Sequence, residues 1–191
     1  MTERCSGKIS LSNDNSSIII SGEKFWDVDA GRRYDTETTL TQMLGKAKNT
    51  EIHILAYHFS NSKKLAPQIL NLFQKCLDNN CKVLMVVDHL YKTWEDGSYK
   101  MPVDDLKELN RSDNFRLFNF DRGDGDLPQL HAKVIVVGRA EAFFGSANIS
   151  KRAMNESYEI GIRIRSGRHP ENLARMIERI AFDKELCEEI S

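Results

Sequence analysis

The segment His131–Asn148, HAKVIVVGRAEAFFGSAN, decides how the rest of the chain is interpreted. It holds two apolar runs, Ala132–Val137 and Ala142–Phe144, separated by a polar break at Gly138–Arg139. Runs rich in β-branched and aromatic residues with a glycine between them are typical of two strands joined by a tight turn. The segment therefore predicts a strand, a turn and a second strand.

Polar side chains flank these two strands. His131 and Lys133 stand two apart at the head of the first strand, and Ser146 and Asn148 follow the second, just past Gly145. Because side chains alternate along a strand, residues two apart project from the same face. We therefore expect an imidazole, an ammonium, a hydroxyl and an amide to converge at one end of a sheet.

This set of groups suits phosphodiester chemistry. An imidazole can attack phosphorus and form a covalent intermediate, which divides the reaction into two steps. Lysine, serine and asparagine can hydrogen-bond the non-bridging oxygens, where charge builds in the transition state. Taken singly, a His-x-Lys pair is common, and Ser146 or Asn148 could simply cap a helix. The joint spacing of the two pairs favours a functional site over these ordinary explanations.

The spacing resembles the pattern of the phospholipase D superfamily, HxKxxxxDxxxxxxGSxN. The residues in register are His131, Lys133, Gly145, Ser146 and Asn148. Gly138 occupies the position of the family's aspartate. The resemblance implies that this aspartate is a supporting residue and not the nucleophile, so we expect activity to survive its loss. A non-catalytic binding or scaffold member of the fold is the alternative.

The resemblance extends over Glu51–Arg165. The segments Ala56–Ser60 (AYHFS) and Lys82–Asp88 (KVLMVVD) resemble the first part of the small bacterial nucleases of this superfamily. Family members often carry Asn-x-Glu after the GSxN segment, and here Ser157 replaces the asparagine while Glu159 matches. The resemblance implies that Glu159 orients a catalytic histidine by a hydrogen bond. A surface carboxylate paired with a lysine is the alternative.

The chemistry calls for two histidines in opposite protonation states, one to attack and one to protonate the leaving oxygen. The chain carries a single HxK…GSxN motif, and its other histidines begin no such pattern: His53, His58, His89 and His169. As in the short bacterial nucleases that the chain resembles, we expect a twofold homodimer with His131 of each protomer in one shared cleft.

Further candidates carry weaker signals, since each has an ordinary structural explanation. His58 and Asp88 stand at the ends of predicted strands and could line the cleft. Basic residues could supply local positive charge for a polynucleotide backbone. These are Arg32, Arg33, Arg122, Lys151 and Arg152.

A chain of 191 residues fits one domain, residues 1–191, with 1–17 as a loose N-terminal segment. The predicted strands, besides the two above, are Ser17–Ser21, Glu51–Phe59, Lys82–Asp88, Asn114–Phe120 and Tyr158–Arg165. The predicted helices are Gly31–Thr50, Leu65–Asn79, Val103–Leu109, Asn148–Met154 and Pro170–Leu186. Strands alternating with helices predict an α/β fold, a sandwich with a mixed, largely parallel β-sheet and helices on both faces.

Charge and cysteine usage narrow the function classes. The net charge of -1 argues against a broad basic docking face, although a cleft needs only local positive charge. The cysteines, Cys5, Cys76, Cys81 and Cys187, lack zinc-site spacing, so we expect no metal and no cofactor. Scattered thiols and the lack of a signal peptide or a membrane-length apolar run predict a cytoplasmic protein without a membrane partner.

These observations favour a metal-independent nuclease that acts through a phosphohistidine. A lipid phosphodiesterase or phosphatidyl transferase is a second possibility, but it would usually need an apolar membrane-binding element, which the sequence lacks. Asp124 and Asp126 are spaced like metal ligands, but their glycine-rich surroundings favour a turn. Small cytoplasmic proteins resembling this one occur in bacterial restriction and antiviral defence systems, so we expect a similar setting here.

Overall fold

The structure is a computed structural model that describes residues 16–21, 36–57, 59, 66–88, 90, 93, 95, 97, 101–120, 130–150, 153, 157 and 159–190. Strands and helices alternate along much of the chain. In chain order they are β1 (Ser16–Ser21), α1 (Thr36–Gly45), β2 (Glu51–Ala56), α2 (Ala66–Asp78), β3 (Lys82–Asp88), α3 (Val103–Asn110), β4 (Phe115–Phe120), β5 (Lys133–Val137), β6 (Glu141–Gly145), β7 (Glu159–Arg165), α4 (Arg168–Phe182) and β8 (Cys187–Ile190).

The strands form one eight-stranded sheet in the order β1-β7-β6-β5-β2-β3-β4-β8. The predicted mixed α/β fold is confirmed, but its largely parallel character holds only for β2, β3 and β4. The other described pairings are antiparallel. The reason lies in the connections, because α2 and α3 cross over between parallel strands, whereas a short turn at residues 138–140 makes β5 and β6 a hairpin.

Helices cover both faces of the sheet, as predicted. The first face packs against α1, α2 and α3, which contribute apolar residues such as Leu40, Phe73 and Leu106. The second face packs against α4 through Ala174 and Ile177. The two cores are separate because side chains alternate along each central strand.

Two predicted helices end earlier than expected. The helix predicted over residues 31–50 is α1 and stops at Gly45; residues 31–35 lie outside the described part of the chain. The helix predicted to reach Leu186 is α4, which stops at Phe182. The chain then turns and forms β8, which sequence reasoning missed. This short strand with two glutamates has a weak intrinsic signal, and it forms by pairing with the edge of β4.

The prediction of a helix over residues 148–154 is wrong for its first residues. Asn148 and Ser150 are not helical, and Ile149 between them forms an isolated parallel bridge with Phe59. This bridge keeps the backbone after β6 extended. The predicted Gly-rich loop over residues 121–128 and residues 1–15 lie outside the described part of the chain. Within the described residues, no helix combines the length and apolar character needed to cross a membrane.

Candidate active site

The polar residues of the central motif meet at one end of the sheet. Lys133, the first residue of β5, pairs with Ala56 at the end of β2. The end of β6 lies on the other side of β5, and Gly145 at that end pairs with Gly161 near the start of β7. The antiparallel hairpins therefore bring the start of β5, the end of β6 and the start of β7 to the same edge, as predicted.

His131 and Lys133 are in direct contact. The Lys133 Nζ lies 3.0 Å from His131 Nδ1 and 3.3 Å from Nε2, and it donates to the His131 carbonyl oxygen at 2.8 Å. The contact places a cation against the imidazole that is the candidate nucleophile. The imidazole is exposed, whereas Lys133 is only 7% exposed.

Burial of Lys133 disfavours the charged form of its side chain. Burial lowers the pKa of its ammonium from the ordinary value, and the nearby Glu159 carboxylate acts in the opposite direction. Desolvation disfavours the charged form of an amine, while a neighbouring negative charge favours it. Glu159 is therefore an electrostatic partner of Lys133.

Ser146 and Glu159 form a second pair beside the first. The Ser146 hydroxyl donates to Glu159 Oε2, and Ser146 Oγ accepts from the backbone N–H of Ile160 at 3.2 Å. The expected hydrogen bond between Glu159 and a histidine is not seen among the described residues, since this carboxylate binds Ser146 instead. Because Ser146 lies directly after β6 and Glu159 begins β7, the antiparallel pairing of these strands explains their contact.

Asn148 carries an unsatisfied group. Its Oδ1 is buried and accepts no hydrogen bond from a described residue. A buried acceptor that receives no hydrogen bond from protein, water or ligand typically costs about 1–3 kcal/mol.

Two glycines allow the strands that carry Ser146 and Glu159 to approach closely. A Cβ on Gly145 would lie 2.6 Å from the Ile160 carbonyl oxygen, and one on Gly161 would lie 2.4 Å from the Phe143 ring. Real Cβ atoms do not approach that closely. At Gly145 the contact is with the backbone, so a larger residue would push β6 and β7 apart, whereas at Gly161 the Phe143 ring would have to move. The glycine of the GSxN segment is therefore required by the local geometry.

Gly138, which stands in place of the family's aspartate, lies at the opposite end of β5. It occupies the turn before β6 with φ +59°, and its N–H donates to the Glu51 carbonyl oxygen at 2.8 Å. Gly138 lies five residues along β5 from Lys133, which corresponds to about 17 Å. The departure from the family pattern thus removes no group from the site itself.

Tyr57 is a site residue that sequence reasoning missed. Its ring centroid lies 4.4 Å from that of His131, and the Lys133 Nζ lies 4.8 Å from the Tyr57 ring centroid. Tyr57 directly follows β2, whose last residue pairs with Lys133. A signal was present, because the residue belongs to the AYHFS segment that carries part of the family resemblance, but nothing in that segment selects the tyrosine.

The remaining candidates do not add to the described site. Asp88 is buried and accepts from the Leu130 N–H at 3.4 Å, so it holds the backbone just before His131. His53 Nε2 bonds to Glu178 at 3.0 Å, and His169 starts α4, beyond the far end of β7. Several candidates lie outside the described residues: His58, His89, Arg32, Arg33, Arg122, Lys151, Arg152, Asp124 and Asp126.

One group outside this site has the composition of a metal site. Glu51, His53 and Glu178 offer ligand atoms within 4.8 Å of one another. However, Arg139 already donates to both carboxylates, at 2.8 Å for Glu51. A guanidinium in this position balances the negative charge that would otherwise attract a cation. The group is therefore better described as an ion-pair network between the hairpin turn, β2 and α4.

Comparison with known proteins gives a consistent result. Residues 40–181 match the family model described as cardiolipin synthase, PLD-like domain. No curated protein matches the chain.

Solved structures with a similar fold include Nuc, a phospholipase D family member from Salmonella typhimurium, at a TM-score of 0.64 and 19% identity, covering 92% of this chain and 98% of that one. NucT from Helicobacter pylori is similar at a TM-score of 0.64 and 16% identity, over 92% of this chain and 99% of that one. Phosphatidylserine synthase from Haemophilus influenzae matches at a TM-score of 0.62 and 14% identity, over 95% of this chain but 41% of its own length.

Proposed function

The chain belongs to the family of phospholipase D-like domains, and we propose that it is a phosphodiesterase that cleaves nucleic acid. The observation that carries the proposal is the contact between His131 and Lys133 at the same sheet end as Ser146 and Glu159. A nucleophile lies there next to a cation and hydrogen-bond donors, which is what attack on a phosphodiester requires.

In the proposed reaction, a neutral His131 nitrogen attacks phosphorus, so that an N–P bond forms and the bond to the leaving oxygen breaks. A protonated His131 from a second copy gives its proton to that oxygen. Water then attacks phosphorus, passes a proton back to this second histidine, and the N–P bond breaks. Lys133 and the side-chain N–H groups of Asn148 hydrogen-bond the non-bridging oxygens, and Ser146 joins them when its hydroxyl turns from Glu159 to the substrate.

The second histidine makes the proposed enzyme a homodimer. Of the described histidines besides His131, His53 is bound to Glu178 and His169 lies at the other end of the sheet, so neither is placed to donate the proton. Ile160 is 61% exposed and its carbonyl accepts from the Ser146 N–H, so an apolar side chain stands at the rim of the site. This rim supports contact with a second copy across a shared cleft.

The donor set supports chemistry without a metal. His131, Lys133, Ser146 and Asn148 provide one cation and several neutral groups, and Glu159 is engaged by the Ser146 hydroxyl. Divalent cations prefer clusters of oxygen ligands with net negative charge. We therefore propose a reaction that is resistant to EDTA.

Release of 4-nitrophenolate from bis(4-nitrophenyl) phosphate tests the proposal. We expect turnover by the wild type with or without EDTA, and its loss in His131→Ala. His169→Ala, which removes an exposed histidine far from the site, is the matched control and should keep full activity. When the reaction of a labelled oligonucleotide is stopped by denaturation without acid, the label should be found covalently attached to His131. Loss of turnover with EDTA, or full activity in His131→Ala, would contradict the mechanism.

A phosphatidyl transferase is the second candidate. It is favoured by the description of the matching family model and by the shared fold with phosphatidylserine synthase. Competition separates the two candidates, because an oligonucleotide should inhibit hydrolysis of the chromophore more strongly than vesicles of phosphatidylglycerol do. The opposite order would favour the lipid reaction.

A further inference from the structure

Tyr57 contacts both functional groups of the HxK pair through the same ring. The ring lies against the His131 imidazole at a tilt of 49°, and the buried Lys133 ammonium lies 4.8 Å from the ring centroid. Lys133 Nζ also contacts the imidazole, so the three side chains form a closed triangle. Tyr57 itself is half-buried and belongs to none of the matched motif positions.

The face of the Tyr57 ring provides a negative partial charge next to the buried Lys133 ammonium. Among the described residues, Lys133 forms no direct salt bridge with a carboxylate, and Glu159 acts on it only through its field. A ring face is the negative part of the aromatic quadrupole and attracts a cation within about 6 Å of its centroid. It can stabilise the ammonium without neutralising it or occupying an N–H, so an N–H that His131 does not use stays available to a phosphate oxygen.

The same ring restricts the nucleophile. His131 is exposed on its outer side, and a free imidazole there could adopt several rotamers. Contacts with both Tyr57 and Lys133 restrict the orientation of the imidazole. Holding a nucleophile in its attacking geometry contributes to rate, because that entropy is lost before the reaction begins.

We propose that Tyr57 is a positioning residue of the phosphodiesterase site, whose aromatic face keeps Lys133 protonated and His131 oriented; this proposal rests on the function proposed above. The ring and not the hydroxyl performs the task, since both contacts are made by the ring. Tyr57 acts through Lys133 and His131 and does not take part in bond making.

Three variants test this role. Tyr57→Leu should lower kcat about three- to thirtyfold with little change in KM, and Tyr57→Phe should restore most of the loss because it keeps the ring. The alkaline limb of the pH profile should shift downward by about 0.5–1 pH unit in Tyr57→Leu, because the ammonium loses protons more easily without the ring. Phe182→Leu is the matched control, since it removes a ring 4.7 Å from the Arg116 guanidinium and away from the site.

A second readout does not depend on turnover. In NMR titrations of the Lys133 side chain, assigned by comparison with Lys133→Met, the midpoint should fall in Tyr57→Leu and stay in Tyr57→Phe and Phe182→Leu. An unchanged midpoint together with unchanged kcat in Tyr57→Leu would overturn the proposal. If the wild type shows no turnover on any phosphodiester, the proposed function fails, and the Lys133 titration still decides the role of Tyr57.

Discussion

The two ends of the sheet carry charge in opposite ways. At the end opposite the site, opposite charges are in direct contact: Arg139 donates to Glu51 and Glu178, and Glu178 also bonds to His53. At the site end, the Lys133 ammonium contacts the His131 imidazole and the face of the Tyr57 ring, and Asn148 Oδ1 has no donor among the described residues. We call the end that holds Arg139, Glu51 and Glu178 the closed end, because its charges are paired. We call the end that holds His131 and Lys133 the open end, because Lys133 has no carboxylate in direct contact among the described residues.

Groups at one end of these strands therefore contribute mainly to stability, and groups at the other end are available to bind a ligand. Paired groups at the closed end tie the β5–β6 turn to β2 and α4, and they leave little for a ligand to gain. The buried Lys133 ammonium at the open end costs stability, and an anion bound beside it would recover part of that cost. Substitutions at the two ends should therefore have effects of different kinds.

The largest expected effect follows from Lys133→Met. Activity toward bis(4-nitrophenyl) phosphate should fall about 10²–10³-fold, because the transition state loses a charged donor in a low-dielectric site. Stability should stay the same or rise slightly, since methionine fills a similar volume and removes a desolvated charge. Steady-state kinetics and thermal unfolding measure the two quantities. A large fall in Tm would instead give Lys133 a structural role.

The next effect is at the closed end. Arg139→Met should lower the free energy of unfolding by about 1–2 kcal/mol, because Glu51 and Glu178 lose their shared cation, and both side chains are only partly buried. For a chain of this length, that corresponds to a fall in Tm of about 2–8 °C. Activity per folded molecule should be unchanged. A loss of kcat at full stability would show that the two ends are coupled.

The closed end should also respond to acid. Burial acts to raise the pKa of Glu178, but hydrogen bonds from Arg139 and His53 outweigh it, so the pKa lies below the ordinary 4.5. A lowered carboxyl pKa gives stabilisation that is complete above the unfolded value and is lost as pH falls through the folded value. Urea unfolding should therefore show a large difference between wild type and Arg139→Met at pH 7 and little difference near pH 3. An equal difference at both pH values would contradict this.

The open end was predictable from the sequence because its geometry is local. His131 and Lys133 share a strand face, and Ser146 follows the next strand of the same hairpin, so period-two alternation and one short turn are sufficient to place them together. The pairing of Ser146 with Glu159 needs only one further hairpin.

The rest depends on long-range register, which no local pattern specifies. Tyr57 reaches Lys133 because β2 pairs antiparallel with β5, about 75 residues later in the chain. β8 exists because β4 offers an unpaired edge, and Glu189 there bonds to Arg116 at 2.7 Å. The ion pairs of Arg139 likewise join three elements that are distant in sequence.

The smallest effect on activity should come from restoring the family's aspartate with Gly138→Asp. Gly138 has φ +59°, a conformation that costs an ordinary residue about 1–2 kcal/mol, though aspartate tolerates it better than most. A Cβ there would also lie 2.8 Å from Thr50 Oγ1. We expect the variant to lose about 1 kcal/mol of stability and to change kcat by less than about twofold, since the position is about 17 Å along β5 from Lys133.

A double variant distinguishes strain from chemistry at this turn. Thr50→Ala removes the hydroxyl that the new Cβ would meet, so the double variant Thr50→Ala with Gly138→Asp should lose less stability than the sum of the two single changes. Chemical denaturation measures the coupling, and kinetics on the same samples measures activity. A tenfold rise in kcat with Gly138→Asp would mean that the turn controls the open end from across the sheet. The contrast between the two ends would then describe one coupled system and not two independent regions.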